Sequence, residues 1–154
     1  MIKISTNIHD DFTATDKAEI VKLHKKFKKL KLYKYVEKKI GIPNVAKFIL
    51  EGLELENILE DVSLWEALIK LCISLLNIAK KRRDVNISAQ MWIRNISTKT
   101  PTSIAFTITD DKKVEDLMSG LHSLLSTLTP KTRKGQIVWI FYDEIQSKWI
   151  TRVF

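Results

Sequence analysis

A single cysteine, Cys72, stands among 154 residues, so no disulfide can form within the chain. It sits in LIKLCISLLNIA, where a thiol acts as a small apolar core residue rather than an activated nucleophile. Glycine is almost as scarce. Gly41, Gly52, Gly120 and Gly135 are isolated from one another, and no loop gathers the glycines that let a backbone approach a phosphate closely. Three prolines, no Pro/Gly/Ser-rich stretch and no internal repeat leave no point at which to divide the chain. A single domain over 1–154 is therefore expected, with a mainly helical half at 1–83 and a ββαββ half at 84–154.

Histidine is limited to His9, His24 and His122, with none of the spacings that place two metal ligands on one helix face. His9-Asp10-Asp11 is the one compact group of nitrogen and oxygen donors, and its place at a strand end reads as a turn. Long apolar runs are missing too. The longest, Leu64 to Ala79, contains Glu66 and Lys70 and falls short of the ~20 residues of a membrane span, so it reads as a buried helix. The N-terminus lacks the apolar stretch of a secretory signal. From these absences the expectation is a cytoplasmic, non-enzymatic protein with no catalytic residue, cofactor, metal site or transmembrane segment.

What is present is a packed-protein composition, 45% hydrophobic, with a net charge of +8. Ile2, Ile4 and Ile8 alternate with polar residues, the period of a half-buried strand. Ile20, Leu23, Phe27, Leu30, Tyr33, Val36 and Ile40 recur at helical steps and predict a helix over 16–40, capped by Thr15 or Asp16. A second helical piece is expected over 44–61, weakened by Gly52. A third is expected from Ser63, where Ser63 and Glu66 fit a capping box, to the basic run at 80–83. Beyond Asp84 the period changes to two. Strands are expected at 85–94, with Trp92 on the face opposite Met91, and at 103–110, then a helix over 111–128 and a terminal hairpin, IVWIFY pairing with WITRVF. The class is α+β. Without the extra helices after the first strand and the C-terminal hairpin strand, these elements fit a ferredoxin-like split βαββαβ core.

Positive charge is concentrated. Residues 16–40 hold ten lysines against Asp16, Glu19 and Glu37, whereas 51–66 hold six acids and no base. Lys22, Lys25, Lys26 and Lys29 would form an outward row on the expected helix, a candidate anion- or nucleic-acid-binding surface. The acidic segment offers them an internal partner instead, and Tyr33 and Tyr35 would suit an anionic membrane surface. Neither MIKISTNI nor TSIAFTITD carries the aromatic pair of an RNA-recognition module. By elimination the sequence favours a protein-interaction module of the adaptor, regulator or inhibitor kind. Trp92 and Arg152 are its candidate surface residues, and the partner is an unspecified protein. The alternative is a nucleic-acid-binding protein that uses the lysine-rich helix 16–40.

Overall fold

A computed structural model describes residues 2–27, 29–35, 45–82, 88–95, 102–108, 113–128 and 138–153. Seven strands form one mixed sheet: β1 (Ile2–Thr6), β2 (Leu30–Lys34), β3 (Val45–Leu53), β4 (Ser88–Asn95), β5 (Thr102–Ile108), β6 (Val138–Asp143) and β7 (Lys148–Val153). Four α-helices accompany them: α1 (Ala14–Leu23), α2 (Leu55–Glu60), α3 (Val62–Arg82) and α4 (Val114–Leu128). The class is α+β, with strand order β2-β1-β3-β4-β5-β6-β7. The halves before and after residue 84 share this sheet through the parallel pairing of β3 with β4.

The order departs from a ferredoxin-like core. In that core each crossover straddles an intervening strand, whereas here β1–β2, β3–β4 and β5–β6 are each parallel neighbours. The units meet through antiparallel pairs, β1 with β3 and β4 with β5, and β6–β7 closes the chain as the expected hairpin.

The expected helix over 16–40 is the main correction. The helix ends at Leu23, and after a turn the chain enters β2, pairing Leu30, Leu32 and Lys34 with β1. In LKLYK the apolar positions satisfy both helical and alternating periods, and the parallel pairing with β1 decides between them. The expected helical piece over 44–61 likewise divides into β3 and the short α2. Gly52 explains the division. Its φ of 94° lies where side chains are rarely tolerated, and the register slips by one residue between Glu51 and Leu53, a bulge that ends the strand.

The helix caps also shift. Thr13 rather than Thr15 or Asp16 caps α1, its hydroxyl accepting from Asp16 N–H while the Asp16 carboxylate accepts from Thr13 N–H. At α3 the capping group is Asp61, whose carboxylate accepts from the N–H and hydroxyl of Ser63 at 3.0 and 2.7 Å. These bonds hold the exposed Asp61 carboxyl below its ordinary range.

The core lies on one face of the sheet. Ile4, Phe48, Leu50, Met91, Ile93, Ile104, Val138 and Ile140 pack under Leu68, Leu71, Leu75 and Leu76 of α3 and Val114, Met118 and Leu121 of α4. α3 is long and apolar enough to cross a membrane, and in this fold its buried stripe is the roof of the core. Cys72 is fully buried in that stripe, and burial pushes its thiol up to about 12.

Candidate functional site

Because side chains alternate along a strand, seven strands that point one set of residues at the helices must point the other set away. Among the described residues no helix covers that second face. Its residues are absent from the helix-side cluster, including Ile49, which is only 5% exposed yet belongs to the opposite surface.

Register turns this face into ordered rows. One row crosses all seven strands: Tyr33, Ser5, Ile49, Trp92, Ala105, Phe141 and Ile150 are successive cross-strand partners. It is aromatic and apolar apart from Ser5. Beside it runs a second row that includes Lys31, Lys3, Glu51, Ser103, Trp139 and Arg152, with three basic residues and one acidic. On the other flank Lys47 pairs with Gln90. The result is an apolar stripe whose flanks carry Lys31, Lys3, Arg152, Lys47 and Lys148 together with the acids Glu51 and Asp143.

The aromatic groups are accessible. Trp139, Phe141 and Tyr33 are 38%, 37% and 36% exposed, and Trp92 is half-buried. Trp92 meets Trp139 edge-on, ring centroids 6.0 Å apart at 88°. Lysine ammonium groups lie over the rings: Lys47 sits 5.2 Å from the Trp92 centroid and 5.6 Å from that of Tyr35, and Lys3 sits 5.1 Å from Tyr33. Exposed cation–π contacts of this kind contribute about 0.5–1 kcal/mol, less than the ~1–3 kcal/mol of a base stacked on an aromatic ring. A stacking ligand can therefore displace the ammonium groups and still gain.

The candidate residues from the sequence are distributed unevenly. Trp92 and Arg152 come to this same face, in adjacent rows on β4 and β7. The four lysines do not form a row on one helix, because the helix that would align them ends at Leu23. Lys22 lies in the last turn of α1, Lys25 and Lys26 in the turn that follows, and Lys29 just before β2, all exposed. Lys22, Lys25 and Lys29 line one cavity together with Lys17. Lys26 is not among the residues lining that cavity. Two further basic groups of the sequence, Lys99 and the Lys131, Arg133 and Lys134 run, lie outside the described residues.

Two other clusters have structural occupations. His9, Asp10 and Asp11 form a short 3₁₀ turn after β1, with Asp10 bridged to Lys34 at 2.7 Å, a bond that holds the Asp10 carboxyl below its usual range. His122 lies edge-on to Trp65, centroids 5.0 Å apart, in the groove between α3 and α4.

Sequence reasoning missed Tyr33, Phe141, Lys3, Lys31 and Lys47 as members of one surface. The signal was present as alternation in LKLYK and VWIFYD, but their common face depends on strand order. No protein-family model matches the chain, and neither curated proteins nor solved structures give a match.

Proposed function

We propose that this protein binds single-stranded nucleic acid on the helix-free face of its sheet. The observation that carries the reading is the register row from Tyr33 to Ile150, apolar and aromatic, set between basic positions. A single strand presents bases that stack on any aromatic ring and phosphates that seek cations at regular intervals, and this face supplies both in parallel lines. Duplex hides its bases and has no use for the stripe. The open sheet thus replaces the lysine-rich helix as the surface of the nucleic-acid reading.

One observation favours the protein-interaction reading. β7 is an edge of the sheet, and an edge strand presents unpaired backbone groups to which another chain can add. Stripe and edge make different demands on salt. With Lys3, Lys31, Lys47 and Arg152 contacting phosphates, affinity for a single strand falls about 50-fold between roughly 50 and 200 mM salt, from a slope of about 0.7 per contact. Strand addition at β7 has no such dependence.

The test is fluorescence anisotropy of labelled single-stranded and duplex DNA and RNA at those two salt concentrations. Single strands are expected to bind in preference to duplex, with the stated loss of affinity. Absence of binding at the lower salt, or equal affinity for duplex, defeats the reading.

A further inference from the structure

Resting on that reading, we propose that a bound single strand continues past Tyr33 around the outer edge of β2 into a lysine-rimmed groove between α1 and β2, so that the protein selects strands long enough to reach it. Two adjoining cavities form this groove. The larger, about 540 Å³, is rimmed by Lys17, Lys22, Lys25 and Lys29 over a floor that includes Val21, Phe27 and Leu30. The smaller, about 340 Å³, shares Lys17, Val21 and Leu30 with it and is lined also by Lys31 and Tyr33. Lys31 and Tyr33 are also the β2 ends of the two rows on the helix-free face. The groove and the stripe are therefore one surface folded over an edge strand.

Charge indicates the occupant. No acidic residue lines either cavity among the described residues, and Lys17, Lys22, Lys25 and Lys29 form no ion pair among them. Lys34, by contrast, is paired with Asp10 at 2.7 Å. Four ammonium groups around one groove call for several anionic groups joined in a line. Phosphates of the strand already held on the stripe meet that need without a second association event. The half-exposed Val21 and the apolar floor suit the sugar and base edges between those phosphates.

Geometry sets the length requirement. From β6 to β2 the row crosses six strands, about 24 Å at the usual ~4.8 Å spacing, so a strand of about 5 nucleotides is absorbed by the sheet and one of about 20 has chain left over. Four further contacts then steepen the salt dependence of the longer strand by about another 50-fold over the same fourfold salt range.

The experiment measures binding of labelled oligothymidylates of about 5 and about 20 nucleotides to the full chain, to a variant with Lys17, Lys22, Lys25 and Lys29 changed to Glu, and to the Trp92→Ala/Phe141→Ala variant. Circular dichroism serves as the folding control, and all four lysines are exposed or half-exposed. The lysine variant is expected to keep wild-type affinity for the short strand and lose the extra salt-sensitive affinity for the long one, while the aromatic variant loses both. If both lengths bind wild type and the lysine variant alike, the groove has no part and the stripe stands. If neither length binds wild type, the stripe reading fails and takes this inference with it. If the lysine change abolishes binding to phosphatidylserine vesicles while leaving the long strand unaffected, the groove serves a membrane surface and the inference is overturned.

Discussion

Gly120 offers a sharp test of how the helix layer meets the far edge of the sheet. It is exposed in the middle of α4, where glycine is less favourable than alanine by about 0.5–1 kcal/mol. Its close neighbour among the described residues is Trp149 of β7: a Cβ built on Gly120 lies 3.4 Å from Trp149 Nε1 and 3.5 Å from Cδ1, ordinary van der Waals contact. The indole is fixed by its own bonds, donating from Nε1 to the Leu117 carbonyl at 3.1 Å and meeting Phe106 and Tyr142 edge-on at 5.8 and 5.2 Å. One methyl group fits, and further carbons directed at the indole would collide with it. Gly120→Ala should therefore stabilise by about 0.5–1 kcal/mol, raising the thermal midpoint by about 2–4 °C per kcal/mol for a chain of this size. Gly120→Leu should lower it, because displacing the indole forfeits a hydrogen bond contributing about 0.5–1.5 kcal/mol and the aromatic contacts as well. Differential scanning fluorimetry of the two variants measures both. A lower midpoint for Gly120→Ala would refute the geometry, since among the described residues nothing else near Gly120 opposes a methyl group.

The remaining stability predictions concern a buried histidine and a cap. His24 is 5% exposed, with Nε2 3.0 Å from Ser74 Oγ, and burial followed by the charge of Lys70 lowers its pKa below 6.5. The unfolded chain then binds the extra proton first, so stability should decline as pH falls below about 6.5 and level off beneath the folded-state pKa. His24→Gln should flatten that part of the profile in denaturant titrations across pH, and an unchanged slope would exclude His24 as its source. Thr13→Ala removes one half of the α1 capping box and should cost about 1 kcal/mol in the same assay, whereas Thr15→Ala, outside the box, should cost little. Equal losses would place the cap wrongly.

The sequence carried β1, α3 and the second half of the fold well and the stretch from Leu23 to Leu53 poorly, for a physical reason. From Ser88 onward, strict alternation in β4 and β5, the apolar stripe of α4 and the hairpin order of β6 and β7 each permit one reading. Before that, Leu30 and Tyr33 satisfy a helical period as readily as a strand period, and Phe48, Ile49 and Leu50 form a continuous apolar run. In that run both faces of β3 are buried, Ile49 among its open-face neighbours and Phe48 in the helix-side core, so the alternation that marks a strand is erased. The candidate site was legible only in fragments. Trp92 was assignable to the outer face from its own strand, but its partnership with Phe141 and Tyr33 requires β4, β6 and β2 to lie in one sheet, a long-range fact no local pattern encodes. The lysines misled because composition counts charge without direction: the helix ends at Leu23, and the turn that follows leaves Lys25 but not Lys26 lining the α1–β2 groove.

The most direct test of the proposed stripe is the affinity of the Trp92→Ala/Phe141→Ala variant for a single strand of about 10 nucleotides at about 50 mM salt, beside wild type. Both side chains lie on the face away from the core, so the variant should fold. Losing two stacking platforms at about 1–3 kcal/mol each should weaken binding at least about 30-fold. A folded variant that binds as tightly as wild type would show that bases do not stack on this face.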